Sequence, residues 1–85
     1  MTEIIQAYFF RKEHYDEKKI IKYLLDHDLP TIQKISEHKY YYKIKLRSEK
    51  KLKLEGYQII LKPYQENIMI NIAIKHPLIN NLVKF

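Results

Sequence analysis

With 85 residues, of which 46% are hydrophobic, the chain is long enough for one domain (residues 1–85) with a single core, and too apolar to be disordered. Sixteen Lys and Arg residues against ten Asp and Glu residues leave a net charge of +6, which favours polyanionic partners and salt-sensitive association. Because the chain has no Cys, a disulfide scaffold is excluded and a reducing compartment is favoured.

The first third of the chain predicts a strand followed by a helix. Residues 3–11 are rich in β-branched and aromatic side chains and are typical of a strand. Asp16 offers a helix N-cap. After it comes an apolar stripe at helical spacing, formed by Ile20, Ile21, Leu24 and Leu25. Pro30 is expected to end the helix, because the residue before a proline is disfavoured in the helical region.

Residues 39–47 predict a second strand with two chemically different faces. In a strand, successive side chains point to opposite sides of the sheet. One side then carries the apolar and aromatic residues Tyr40, Tyr42, Ile44 and Leu46, of which Tyr40 and Tyr42 are expected to be core or half-buried sheet residues. The other side carries Tyr41, Lys43, Lys45 and Arg47. Residues 48–51 are interpreted as a turn, and a third strand is expected within residues 52–62, with Gly56 as a bulge or kink.

The last part of the chain predicts a turn, a strand and an optional helix. Residues 63–67 form a cluster typical of a turn. A strict alternation then predicts the final strand, with Ile68, Ile70, Ile72 and Ile74 on one face. Pro77 is compatible with the first position of a short C-terminal helix.

These elements predict an α+β fold, with a small sheet of three to four strands in the order β-α-β-β-β and one helix packed on one face. One helix leaves the other face of the sheet short of cover. We expect that face to carry Tyr8, Phe10 and Tyr41, or their neighbours if the register shifts by one residue. Dimerisation, packing of the C-terminal segment and stacking on bases are three ways to cover such a face.

The residues that could take part in catalysis or metal binding indicate a binding protein and not an enzyme. Only one Gly is present, so a Gly-rich phosphate loop is excluded, and Ser36 and Ser48 lack the flanking glycines of a nucleophile elbow. Adjacent residues on a helix point in different directions, so Asp26, His27 and Asp28 cannot chelate a metal as a set. We therefore expect no enzyme activity, no metal and no cofactor.

The strongest functional signal is a run of positive charge, which we call the basic strip. Its residues are Tyr41, Lys43, Lys45, Arg47, Lys50, Lys51 and Lys53. Lysines and arginine can neutralise phosphates while an aromatic ring stacks on a base, as in many proteins that hold single-stranded nucleic acid. The strip therefore predicts a nucleic-acid-binding site, for DNA or RNA.

Residues 9–17, 21–29 and 40–47 resemble a small α/β module of phage and giant-virus proteins. That module opens XkdF-like phage head-maturation proteins, and the resemblance spans Ile4 to Ile74. It runs from a strand through a Lys-rich turn to a helix, followed by a strand with alternating Tyr and Arg. Tyr23 and Leu29 replace its usual Trp and Gly-aromatic pair, and no catalytic residue can be carried over. The resemblance implies a virus-encoded stand-alone domain that is not an enzyme.

The main hypothesis is therefore a small, non-enzymatic, virus-encoded basic protein that binds nucleic acid through the basic strip. The alternative is a protein-interaction or virion-structural module that forms a homodimer through its sheet and meets an acidic protein partner. The N-terminus lacks the features of a signal peptide, and the apolar run from Ile68 to Ile74 is too short to cross a bilayer. We expect a soluble intracellular protein with no membrane contact, in the host cytoplasm or the virion.

Overall fold

The computed structural model describes residues 3–31 and 34–75, which form one five-stranded sheet and two helices. The strands are β1 (Glu3–Arg11), β2 (Ile35–Glu37), β3 (Tyr41–Lys45), β4 (Gln58–Gln65) and β5 (Ile68–Ile74), and the helices are α1 (Glu17–Asp26) and α2 (Glu49–Leu54). Every pair of neighbouring strands is antiparallel, in the order β2-β3-β1-β5-β4, so β1 lies at the centre. The α+β class is confirmed, but the described residues hold more strands and one more helix than predicted.

Helix α1 covers one side of the sheet, which we call the α1 face. Its N-cap is Asp16, as predicted, and the Asp16 carboxylate accepts a hydrogen bond from the Lys19 N–H at 2.8 Å. Ile20 and Leu24 lie one turn apart and are buried. They pack on a cluster from the three central strands, formed by Tyr8, Phe10, Ile44, Ile68, Ile70 and Ile72. The isoleucine alternation of β5 therefore marks the core face, as the sequence predicts.

The predicted placement of two aromatic groups is wrong. Tyr8 and Phe10 were expected on the uncovered side, but both are buried beneath α1. Phe9, the neighbour expected there if the register shifts by one residue, points to the other side. Tyr40 was expected to be a core or half-buried sheet residue, but it precedes β3 and is 70% exposed. Tyr42 is half-buried against the core, as expected.

Helix α2 occupies a segment that was predicted as a turn and the start of a strand. Ser48 caps it, with its Oγ accepting from the Lys51 N–H at 3.2 Å, and Leu52 is its buried residue. Gly56, at φ 94°, follows the helix end and is not a strand bulge. The third predicted strand corresponds to β4, which begins at Gln58.

One strand and three boundaries also differ from the predictions. Strand β2 was not predicted, and β3 is shorter than residues 39–47. Residues 63–65 of the predicted turn belong to β4, so the turn comprises Glu66 and Asn67. The first helix ends at Asp26, four residues before Pro30. The predicted C-terminal helix at Pro77 lies outside the described residues.

Candidate nucleic-acid interface

The side of the sheet opposite α1, here called the second face, carries the strand part of the basic strip. Tyr42 and Ile44 point toward α1, so the alternation of β3 places Tyr41, Lys43 and Lys45 on the second face. Paired residues of neighbouring strands share a face. Across the sheet the pairing therefore adds Phe9 and Arg11 of β1, Met69 of β5, and Leu61 and Pro63 of β4.

A groove of about 420 Å³ opens on the second face, at the end of the sheet where β1 reaches Arg11. Its lining includes Phe9, Arg11, Tyr41, Leu61, Pro63 and Met69. Apolar side chains on this face remain in contact with solvent, since Leu61 is 56% exposed and Met69 is 37% exposed. The groove is thus an aromatic and apolar surface with one guanidinium group at its border.

The aromatic rings of the groove are held by contacts with their neighbours. The centroids of Phe9 and Tyr41 lie 5.3 Å apart, with an interplanar angle of 71°. Tyr41 also stacks on His38, with centroids 4.6 Å apart. Lys43 Nζ lies 5.4 Å from the centroid of Phe9, a distance typical of a cation–π contact. These contacts restrict the orientations of the two rings before any ligand is bound.

The cations of the second face have no acidic partner within the described residues. Arg11, Lys43 and Lys45 take part in none of the ion pairs found in residues 3–31 and 34–75. Those ion pairs join Lys12 to Glu37, Lys53 to Glu49 and Lys62 to Glu3. The second face therefore combines positive charge with half-buried aromatic rings.

The rest of the basic strip lies toward the other end of the sheet. Arg47 lies two residues beyond β3, and its backbone is held by Gln6, whose carbonyl accepts from the Arg47 N–H at 3.2 Å. Lys50, Lys51 and Lys53 belong to α2, and not to a turn and the segment of the third strand as predicted. Lys53 also forms an ion pair with Glu49 at 3.3 Å. The seven predicted residues therefore form two groups, one along β3 and one on α2.

Sequence reasoning missed most of the groove. The signal for Met69 was present, because a final strand with its isoleucines in the core must turn its alternate residues to the second face. The signal for Phe9 was weaker. Phe9 and Phe10 are adjacent aromatic residues, so either one is a plausible core residue in the absence of the strand pairing.

The two tyrosines with a raised pKa, Tyr8 and Tyr23, lie on the α1 face and not in the groove. Burial, together with nearby Tyr64, Tyr8 and Tyr15, raises the pKa of Tyr23 to about 12. Burial also raises the pKa of Tyr8. In residues 3–31 and 34–75, no group of three or more His, Asp or Glu side chains is arranged to hold a metal ion.

No family model, curated protein or solved structure matches this chain in the comparisons with known proteins. Among the described residues, no helix is long and apolar enough to cross a membrane. The function is therefore inferred from the chemistry of the second face.

Proposed function

We propose that this chain is a small, non-enzymatic protein that binds nucleic acid through the second face of its sheet. One observation carries the proposal. Lys43 and Lys45 lie on the same exposed sheet face as Tyr41, and within the described residues neither lysine has an acidic partner. Lysine ammonium groups on such a face attract phosphates, and a neighbouring ring can contact a base or a ribose.

Arg47 and the lysines of α2 extend this attraction beyond the sheet. Each cation that neutralises a phosphate releases condensed counterions, so the affinity falls as salt rises. For a single strand, the slope of log K against log salt is about −0.7 for each phosphate contact. Binding should therefore be strong at low salt and weakly dependent on base sequence.

A viral origin is part of the same proposal and is supported by the resemblance of residues 9–17, 21–29 and 40–47 to the XkdF-like module. By this resemblance, the chain would act as a binding domain without catalytic residues. Its partner would be nucleic acid in an infected cell or in a virion. In both places the positive charge of the basic strip would attract the phosphates.

A charge-reversal experiment tests the proposal. The variant Lys43→Glu/Lys45→Glu/Arg47→Glu should lose nearly all affinity for fluorescent single-stranded and duplex oligonucleotides, followed by anisotropy at low salt. The matched control is Lys18→Glu/Lys19→Glu/Lys22→Glu, because these exposed lysines lie on α1, on the opposite side of the sheet, and give the same change in net charge.

The two variants separate a local site from a general effect of net charge. If the control keeps most of the affinity and the β3 variant does not, the second face is the binding surface. Equal affinity of both variants, with both folded by circular dichroism, would contradict the proposal.

The alternative function, a protein-interaction or virion-structural module, has one specific observation in its favour. Leu61 and Met69 leave apolar surface exposed on the second face, and β4 is an edge strand of eight residues. Exposed edges and apolar sheet faces favour pairing with a second copy or with another protein. A mass that doubles with concentration, without nucleic-acid binding at low salt, would select this function.

A further inference from the structure

We infer that the groove on the second face binds an unpaired base, so that the nucleic acid recognised is single-stranded. This inference rests on the proposed function and adds the substrate class to it. Its starting point is that the groove and the lysines share one face, because Phe9 pairs with Lys43 across β1 and β3. A ligand on this surface meets aromatic and cationic groups together.

The centre of the groove suits a flat aromatic ligand. Phe9 of β1 pairs with Met69 of β5 and lies in edge-to-face contact with Tyr41 of β3, so the three side chains form one apolar surface across three strands. Base–aromatic stacking needs a base that is free of its own stacking partners. A duplex keeps its bases stacked inside and offers phosphates instead, so it can use the lysines but not this surface.

The charges nearby match the backbone of such a strand. Lys43 Nζ lies 5.4 Å from the centroid of Phe9, and Lys45 follows on the same side of β3. Same-face neighbours on a strand are about 6.8 Å apart, which is comparable to the spacing of phosphates in an extended single strand. When a base stacks on the Phe9 ring, the Lys43 ammonium can move from that ring to a phosphate, to which it is attracted more strongly.

Arg11 contributes a second kind of contact. It lies at the border of the groove and has no acidic partner in the described residues. A planar guanidinium group can stack on a base or donate paired hydrogen bonds to a phosphate. An uncharged apolar peptide or a second copy of this surface would leave Arg11 and Lys43 without anionic partners, which disfavours both as the occupant.

Three labelled probes test the inference: a twelve-nucleotide oligothymidylate, a hairpin duplex of equal charge, and an abasic sugar-phosphate strand of equal length. The wild type should bind the oligothymidylate about 5- to 150-fold more tightly than the abasic strand, the range expected for stacking of one base. Phe9→Leu should remove this preference, because it should weaken binding of the oligothymidylate far more than binding of the abasic strand. A mere loss of folding would weaken both.

Phe9→Trp provides a second readout that does not depend on the leucine variant. The chain has no Trp, so the new indole is a single reporter. Its fluorescence should be quenched by the oligothymidylate and not by the abasic strand, with the preference for bases retained. Quenching by neither strand would overturn the inference even if Phe9→Leu failed to fold.

The remaining outcomes separate the inference from the proposed function. Equal binding of all three probes by the wild type and by Phe9→Leu would overturn base stacking, while phosphate binding by the second face would stand. Absence of binding to every probe at low salt would overturn both proposals.

Discussion

Gln6 is a buried amide that connects three parts of the structure. It is fully buried, at the bulge that shifts the register of β1 between Ile5 and Ala7. Its Nε2 donates to the Arg47 carbonyl at 2.8 Å, and its Oε1 accepts from the Asn71 amide at 3.2 Å. The side chain therefore links β1 both to β5 and to the segment that leads into α2.

Replacing Gln6 with leucine should lower the free energy of unfolding by about 1–3 kcal/mol. The leucine fills a similar volume but leaves the Arg47 carbonyl and the Asn71 amide without these partners, and unmade hydrogen bonds of buried groups cost that much. Urea unfolding at pH 7 measures the change. Asn71→Ala, which removes only one of the two bonds, should cost less. An unchanged unfolding midpoint for Gln6→Leu would show that water replaces both hydrogen bonds.

Tyr23 makes the stability of the fold sensitive to alkaline pH. Its hydroxyl donates to Gln65 Oε1 at 3.0 Å, and its ring stacks on His27 with centroids 4.0 Å apart. The pKa of Tyr23 is raised to about 12 from the ordinary value of 10.0, so the unfolded chain loses the phenol proton first. The stability that neutral Tyr23 contributes is complete below pH 10 and is lost as the pH rises toward 12.

Tyr23→Phe should therefore reduce the pH dependence of unfolding. The urea midpoint of the wild type should fall between pH 8 and pH 11, and the fall should be smaller in the variant because one raised pKa has been removed. Some fall should remain, since burial also raises the pKa of Tyr8. At pH 8 the variant should lose about 0.5–1.5 kcal/mol with its hydrogen bond to Gln65. An identical fall in both proteins would assign the pH dependence to other groups.

At the scale of elements, both helices end with the same hydrogen-bond pattern. After α1, the Leu29 N–H donates to the Leu24 carbonyl at 2.8 Å, and Asp28 has a φ of 54°. After α2, the Tyr57 N–H donates to the Leu52 carbonyl at 3.0 Å, and Gly56 has a φ of 94°. Both are Schellman-type ends, in which a left-handed residue lets the chain turn away from the helix.

Substitutions at these two positions should change stability in opposite directions. Gly56→Ala should destabilise the fold by about 1 kcal/mol, because an L side chain is disfavoured at positive φ. A Cβ there would meet only the Lys75 side chain at 3.7 Å, so backbone conformation and not crowding causes the cost. Asp28→Gly should relieve the same strain and stabilise by up to about 1 kcal/mol. Shifts of equal sign in thermal unfolding would contradict this account.

The elements also show which patterns a sequence reveals. Strands β1 and β5 and helix α1 were predictable because each is long enough for its apolar period to repeat. Helix α2 was missed because Leu52 and Leu54 alternate with lysines as in a strand. In the structure Leu52 is buried and Leu54 is 80% exposed. The two leucines, two positions apart, therefore lie on different sides of the helix. Strand β2 has three residues, too few to display an alternation.

The candidate site was predictable in part for the same reason. Within β3, alternation alone separates Tyr41, Lys43 and Lys45 from the core residue Ile44. The groove required knowledge of which strands are neighbours, since Phe9 and Met69 meet Tyr41 only through the sheet order. Long-range pairing of this kind leaves no local pattern in the sequence.

At the scale of the whole molecule, the two groups of cations lie at different distances from the groove. Tyr41 pairs with Arg11 at the groove end of the sheet, whereas Lys45 pairs with Ala7 near its middle. These two residues of β3 are about 13 Å apart. Helix α2 then connects β3 to the start of β4, where Gln58 and Glu3 both pair with Ile74. Under the proposed function, a short oligonucleotide in the groove is expected to cover β3 without reaching α2.

The contribution of α2 should therefore depend on oligonucleotide length. In Lys50→Glu/Lys51→Glu/Lys53→Glu, the salt slope for a twelve-nucleotide single strand should become shallower by about 0.7 for each phosphate that α2 no longer neutralises. A four-nucleotide strand should bind this variant nearly as well as the wild type. Lys43→Glu/Lys45→Glu/Arg47→Glu gives the same change in net charge and should weaken both lengths, because Lys43 and Lys45 share the second face with the groove. If reversal of the α2 charges weakened the short strand as strongly as the long one, binding would reflect the overall charge of the protein and not a path from the groove to α2.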